Sequence, residues 1–342
     1  YNRAIPDSER VYLMTLPSFG AGETKQQSFL ARPFAEYFLE ENIYVEAYGV
    51  AQLDDVNKVN VIVGEGTAAK THSVTFAQMT SGALKTFGIQ AVMGSFEEIG
   101  EGGYVAISET AAERLGVAVD SVLQLESWGQ TNYFVVRVIY KDLPVASDLK
   151  NIEVIRCNQL EEQDLNSTSN WSYQYFVKLR STEDKALCEE VISAKYMEIM
   201  AQELKRYRGM QHSDPSFYKQ LDKLETFIDD IHCTLMPIRD LYYDDTLEWS
   251  VGQEQGNKTS TITLMIVAAL IVIITLINYV NFFFAQVPMR IRSVNTRKIL
   301  GSSRAALVGR FLAESAVLVA IALVLAVVVV LLFCSTEWVH YI

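Results

Sequence analysis

Leu264-Met-Ile-Val-Ala-Ala-Leu-Ile-Val-Ile-Ile-Thr-Leu-Ile277 lies inside a stretch of 31 residues, between Lys258 and Arg290, that holds no charged side chain. About 20 apolar residues at a rise of 1.5 Å each cross the hydrocarbon core of a bilayer, and core helices of soluble proteins rarely stay uncharged for so long. The stretch is therefore predicted to span a membrane, over about 261–287. A second uncharged run extends from Ser315 to Thr336 and includes Val317-Leu-Val-Ala-Ile-Ala-Leu-Val-Leu-Ala-Val-Val-Val-Val-Leu-Leu-Phe333. It reads as a second span, with Trp338 and Tyr341 placed beyond it at headgroup depth.

These runs explain a composition that is otherwise misleading. The 342 residues carry 29 Lys+Arg and 41 Asp+Glu, a net charge of −12, and a mean hydropathy of +0.13, as an acidic soluble protein would. Six of the basic and two of the acidic residues lie in 260–342, leaving 23 and 39 in 1–259. The first part is thus about −16 and the last about +4. Five basic residues (Arg290, Arg292, Arg297, Lys298 and Arg304) fall in Arg290–Arg304, the stretch that joins the two runs, which holds no acidic residue. The positive-inside bias puts this connection, about 288–310, in the cytoplasm and the acidic part outside it. Arg304 to Ser315 is expected to form a short amphipathic element at the inner interface.

The acidic part lacks the clustered Lys/Arg that neutralise phosphates, which excludes nucleic acid as a partner. Its aromatic content argues against disorder. Cys157, Cys188 and Cys233 are too few and too widely spaced for a disulfide scaffold or a thiolate zinc site, although one disulfide among them is compatible with their number. The chain opens at Tyr1 without an initiator Met or a secretory signal. It reads as a piece of a longer polypeptide whose earlier residues could carry a membrane segment.

Within the outer part, Leu187, Val191, Ala194, Met197, Ala201 and Leu204 recur at steps of three and four and predict an amphipathic helix over Glu183–Tyr207. A shorter helix is expected at Ala111–Leu115. Alternation predicts strands at Val59–Val63, Ser73–Phe76, Val122–Leu125, Tyr133–Tyr140 and Tyr173–Leu179. Strands and helices without regular βαβ order indicate an α+β domain.

No constellation supports catalysis. Val61-Ile-Val-Gly-Glu-Gly-Thr-Ala-Ala69 has the spacing of a dinucleotide loop, but the extended Lys70-Thr-His-Ser-Val-Thr-Phe76 follows where a helix is required, so a hairpin turn is expected. Gly-Lys occurs nowhere, which removes a phosphate-binding loop of the Walker type. Asp229-Asp-Ile-His-Cys233 gathers ligand types on adjacent residues that point apart, and reads as a surface turn. The pairs Asp54-Asp55, Glu97-Glu98, Glu161-Glu162 and Asp244-Asp245 read as solvated charge. No cofactor and no metal are expected. Asn278 and Asn281, at the inner end of the first span, suit either hydrogen bonding across membrane helices or placement at the interface.

Leu276-Ile-Asn-Tyr-Val-Asn281, Arg297-Lys-Ile-Leu-Gly-Ser-Ser-Arg304 and Phe311-Leu-Ala-Glu-Ser315, in that order and spacing, resemble the membrane domain of FtsX/MacB-type ABC transporter permeases, most nearly those of Bacteroidetes. Arg292-Ser-Val-Asn-Thr296 departs from the family's pattern there by lacking an acidic residue and a glycine. Tyr1–Tyr12, Ile107–Leu115, Val136–Pro144 and Leu235–Leu241 resemble, more weakly, the MacB-like periplasmic core domain. The resemblance implies residues 1–258 as that core, a porter-like α+β lobe with a mostly β lobe inserted at about 80–150, and residues 259–342 as part of the permease membrane domain. It implies a multi-pass protein of the bacterial inner membrane, acting as a homodimer or as a pseudo-dimer with a related half. It implies a separate cytoplasmic ATPase that docks on Arg297, Lys298, Ile299, Leu300 and Gly301, and a periplasmic adaptor or outer-membrane component as a further partner beside membrane lipid. ATP-driven closure would then move the outer domains in export of drugs, peptides or lipoproteins, or in mechanical signalling to cell-wall enzymes. An alternative is an extracytoplasmic sensor, which would require a large cytoplasmic module where about 15 residues stand.

Overall fold

Val11-Tyr-Leu-Met-Thr-Leu-Pro17 is apolar almost throughout, and it forms the first strand (β1) of a sheet covered on both faces. Val11 and Leu13 point to one core, while Tyr12, Met14 and Leu16 point to the other. Strands buried on both faces read as continuous apolar runs, not as alternation. Tyr173–Leu179 divides the same way, Phe176 to one side and Tyr175, Val177 and Leu179 to the other.

The computed structural model describes residues 1–18, 25–64, 69–99, 103–127, 130–157, 160, 162–210, 215–228, 231–248, 251, 255–301 and 303–334. Its elements after β1 are β2 (Gln26–Gln27), β3 (Phe29–Leu30), α1 (Glu36–Leu39), β4 (Val45–Val63), β5 (Lys70–Met79), α2 (Ser81–Thr86), β6 (Ala91–Met93), β7 (Tyr104–Ser108), α3 (Glu109–Leu115), β8 (Val122–Ser127), β9 (Gln130–Tyr140), β10 (Val154–Cys157), β11 (Tyr173–Leu179), α4 (Lys185–Arg208), α5 (Pro215–Ile228), β12 (Thr234–Pro237), α6 (Lys258–Ile299) and α7 (Arg304–Cys334). The chain divides into two compact units, Tyr1–Lys258 and Thr259–Ile342.

The first unit is α+β. Among the described residues its strands form one mixed sheet in the order β12-β1-β11-β4-β5-β10-β7-β9-β6, with β2 beside β1, β3 beside β11, and β8 joining β4 to β9. The five predicted strands all lie within β4, β5, β8, β9 and β11. β4 and β5 pair antiparallel as far as Val63 opposite Lys70, the arrangement of a hairpin and not of a dinucleotide loop. The 19-residue β4 is the longest strand described. Val45–Val50 pairs with β11, and Asn57–Val63 pairs with β5 and β8, across a register irregularity between Gln52 and Asn57.

α3 starts two residues earlier than Ala111, at Glu109, because the Ser108 hydroxyl accepts a hydrogen bond from the Ala111 N–H. α4 matches the predicted helix, but its buried face is displaced by about one position. Cys188, Ile192, Ser193, Tyr196 and Leu204 are buried, whereas Leu187 and Ala194 are exposed. The reason is partly bulk, since Ile192 and Tyr196 carry more apolar surface than Val191 and Ala194. It is also hydrogen bonding to the edge strand. Glu189 Oε1 accepts from the Leu235 N–H at 2.8 Å, and Ser193 Oγ accepts from the Cys233 N–H at 2.9 Å. Turning the helix by one position would orphan both donors. Cys157, Cys188 and Cys233 are all free and buried, so no disulfide joins any two of them.

α2 sits directly on the backbone of β4. A Cβ on Gly49 would lie 2.0 Å from the Ala83 amide nitrogen, and one on Gly82 would lie 2.0 Å from the Tyr48 carbonyl oxygen. Thr80 caps the helix and pins it, its N–H donating to the Val50 carbonyl and its hydroxyl accepting from the Val50 N–H, each at 2.9 Å. The obstacles are backbone atoms that cannot rotate away. Gly49→Ala and Gly82→Ala should each cost about 3 kcal/mol, the upper part of the overpacking range, in chemical denaturation of the purified protein. A loss below about 0.5 kcal/mol would show that helix and strand are not in backbone contact.

At the other end of β1, Lys178 reaches Asp7 at 2.8 Å and Glu46 at 3.1 Å, while Arg10 reaches the same two carboxylates at 2.8 and 2.6 Å. The hydrogen bonds from Lys178 and Arg10 hold the Asp7 carboxyl below its ordinary range. Burial pushes Glu46 up, but the hydrogen bonds and charges of the same two cations outweigh it and leave it lowered. A carboxyl depressed in the folded state contributes stability above its unfolded value of about pH 4, and that contribution is lost as pH falls through the folded value. Lys178→Met should therefore flatten the fall in denaturation midpoint between about pH 5 and pH 2.5 relative to the native protein. Parallel pH profiles would mean that the cluster does not couple to folding.

Candidate functional site

The second unit consists of two helices and the turn between them. α6 has 42 residues and α7 has 31. Lys258–Pro288 and Val308–Leu332 are long and apolar enough to cross a membrane, and neither is buried within the protein. At 1.5 Å per residue, their 31 and 25 residues reach about 46 and 37 Å, against a hydrocarbon core of about 30 Å. A helix of the soluble core would hide its apolar side chains. Here Leu264, Met265, Val272, Leu276, Leu323 and Val329 are all more than half exposed.

The connection differs from its expected form. Arg290–Ile299 is not a loop but the continuation of α6, and Arg304–Ser315 is not a separate interfacial element but the start of α7. Between the two helices, Leu300, Gly301 and Ser303 are described. Between Pro288 and Gly301 the sequence holds no helix breaker, and cations such as Arg297 and Lys298 are favoured in a last helical turn by the helix dipole. Pro288 is tolerated inside α6, although it removes one N–H from the ladder.

The turn is built by three local choices. The Leu300 N–H still bonds to the Thr296 carbonyl at 3.1 Å, continuing the helical ladder by one residue. Gly301 then takes φ +88°, a left-handed value that ends helices and that glycine adopts without strain. Ser303 starts α7, its hydroxyl accepting from the Ala306 N–H at 3.2 Å. The outcome is a narrow tip on which Ile299 is 85% and Leu300 79% exposed, two large aliphatic side chains side by side. Of the expected docking residues, the structure thus brings Ile299, Leu300 and Gly301 to the tip and puts Arg297 and Lys298 in the preceding turn. The side chains of Arg297 and Lys298 lie outside the described residues.

Asn278 and Asn281 are both exposed and stand three apart on α6, on one face with Thr275. The Thr275 hydroxyl donates back to the Ile271 carbonyl at 2.8 Å. The carboxamides therefore remain the polar groups of that face which can reach another helix. Trp338 and Tyr341 lie outside the described residues.

In the first unit, no group of three or more His, Cys, Asp or Glu side chains that could hold a metal occurs among the described residues. At the one ligand-like run, His232 is exposed while Cys233 points inward. Asp229 and Asp230 lie outside the described residues. Burial pushes the Cys157 and Cys188 thiols up to about 11 and Cys233 higher still, the opposite of a reactive thiolate.

No family model matches the chain, and no curated protein does. Solved structures that it matches are domains of permeases and ABC-type transporters. A domain of a Porphyromonas gingivalis protein assigned as a permease is 17% identical, with a TM-score of 0.48, over 68% of this chain and 92% of that one. The periplasmic region of MacB from Actinobacillus actinomycetemcomitans is 14% identical, with a TM-score of 0.36, over 54% and 84%. The extracellular domain of the noncanonic ABC-type transporter YknZ from Gram-positive bacteria is 13% identical, with a TM-score of 0.37, over 56% and 95%.

Proposed function

We propose that this chain is a permease subunit of an ABC transporter of the FtsX/MacB type, which passes the work of a separate cytoplasmic ATPase to its own extracytoplasmic domain. The observation that carries this reading is the tip of the helix pair. Two membrane-length helices with exposed apolar surfaces are joined through Gly301, and Ile299 and Leu300 are presented to solvent there, in a stretch of sequence, Arg290–Arg304, that holds five basic residues. Exposed neighbouring aliphatics are the chemistry of a docking point. A basic sequence suits an acidic groove and steers its approach. The basic cluster sets the orientation, with the tip in the cytoplasm and the −16 domain outside the inner membrane, as a multi-pass protein paired with a second copy or a related half.

In this arrangement the tip contacts the ATPase through Ile299 and Leu300, Gly301 permits the tight return, and Arg297 and Lys298 contribute charge. Helices α6 and α7 then transmit the motion of ATPase closure. Export or mechanical signalling follows from what the outer domain engages.

Two measurements test the reading separately. For docking, the full-length protein is co-purified with a co-expressed cytoplasmic ABC ATPase of the FtsX/MacB type. Leu300→Asp should lower recovery of the complex by about tenfold and remove stimulated ATP hydrolysis, as should Gly301→Pro, while Thr263→Ser should change neither. Unchanged recovery and hydrolysis in both variants would remove the tip as the docking point. For orientation, Leu300→Cys in a Cys334→Ala background should react with a membrane-impermeant maleimide only after the inner membrane is opened, and Thr259→Cys should react before it. The three buried native thiols should give little background. The reverse pattern would invert the topology.

A further inference from the structure

The first unit has an open cavity of about 480 Å³ between α4, α5 and the β1 edge of the sheet. Pockets of about 300–1,000 Å³ are the usual size for small ligands. Its inner wall is fixed and aromatic. Trp171 and Tyr196 both pack on the buried Phe34, with ring centroids 5.2 and 5.1 Å apart. The Trp171 indole N–H is already committed to the Thr168 carbonyl at 2.8 Å, so the ring offers only its apolar surface. Its outer wall is α5, which contributes Phe217, Leu221 and Leu224, and Met200 of α4 lies between the walls.

Two features identify the occupant. Among the described residues no charged side chain lines the cavity, and the side-chain amides there are those of Gln27 and Gln220. An ion or a polar headgroup would have no partner there, and water would meet mostly hydrocarbon. A volume of about 480 Å³ walled by aliphatic and aromatic side chains lies in the range of small-ligand sites and suits one alkyl chain. The outer wall can also yield. Of its described side chains only Leu221 is buried, and its ionic tie to α4, Arg208 to Asp222 at 2.8 Å and to Glu225, joins exposed groups whose attraction is weak.

We infer that the cavity beneath α5 is a binding site for a single uncharged alkyl chain, that of a single-chain amphiphile. The carboxamides of Gln27 and Gln220 stand where the polar end of such a molecule could be met. This site is independent of the tip and of the ATPase reading, because it lies within the extracytoplasmic unit.

The test uses the full chain in nanodiscs and two photoactivatable probes. One is a long-chain fatty alcohol with a diazirine in its chain, and the other is a phosphatidylcholine with the same group in one acyl chain. After irradiation, adducts are mapped by peptide mass spectrometry, and labelling of α6 and α7 confirms that each probe is active. The expected result is labelling by the alcohol on the peptides that carry Met200 and Phe217. It should fall by about tenfold when Met200→Trp fills the cavity and persist in Met200→Leu. Leu224→Trp, which fills the cavity from the opposite wall, should repeat the loss, and thermal unfolding identifies any variant that has not folded. Alcohol adducts no stronger there than on the exposed face of α4, adducts undiminished in both folded tryptophan variants, or labelling by the phospholipid alone would overturn the inference.

Discussion

β4 is the constraint on which the first unit depends. A strand of 19 residues has more backbone than one partner can satisfy, and in this protein its two halves are satisfied by different neighbours. Val45–Val50 belongs to the layer of β1, β11 and β12, which α4 covers. Asn57–Val63 belongs to the layer that packs with β8 and α3. The irregularity between Gln52 and Asn57 separates the two registers, and local bulges increase twist and bend the strand that carries them. Because both layers hydrogen-bond to one strand, neither can slide without breaking the ladder of the other. The core follows suit: three apolar clusters form, one on each face of the first layer and one under α3.

The first unit also gathers its own first and last segments. Asn2 is fully buried, donates to the Asp148 carboxylate at 2.6 Å and to the Ile238 carbonyl at 2.8 Å, and accepts from the Asp148 N–H at 2.8 Å. Tyr1 packs on Tyr242 with ring centroids 4.5 Å apart. Three segments far apart in sequence thus meet in one polar knot: the first residues, the stretch after β9, and the stretch that leads on to Lys258. A buried polar group left without its partner costs about 1–3 kcal/mol, so the knot fixes these three segments together more firmly than apolar packing alone would.

How much of this could be read from residues alone depended on the kind of signal. Strands with one covered face, such as Val122–Leu125 and Tyr133–Tyr140, declared themselves by alternation. β1 did not, since burial on both faces erases the alternation and leaves a run that fits a helix as well. The buried face of α4 was misjudged by one position because Glu189 and Ser193, polar residues that periodicity assigns to solvent, serve the backbone of a strand 46 and 40 residues away. The cavity beneath α5 was invisible for a similar reason. Trp171, Met200 and Phe217 come from three separate elements, and only the fold brings them together. The two long apolar helices were legible, because absence of charge is a property of consecutive residues. The helical state of Arg290–Ile299 was not, because a basic segment between spans reads first as a loop.

The tip itself sets a limit on how a partner could hold it. Full burial of a large aliphatic side chain contributes about 1.5–3 kcal/mol. Ile299 and Leu300 together could then supply about 3–6 kcal/mol before any cost of association. A micromolar complex requires about 8 kcal/mol, so two aliphatic side chains cannot hold an ATPase alone. The remainder has to come from neighbours on the same turn of helix, and the residues available there are cationic. Charge pairs at the rim of an interface act more on the rate of encounter than on affinity. On the proposed reading, the tip of one chain is therefore a weak contact that gains strength from a second tip. Two helix pairs engaging two ATPase subunits would convert the second docking into an intramolecular event, with an effective concentration in the millimolar range for a short linkage. On that reading the energetics of so small a tip favour a paired permease.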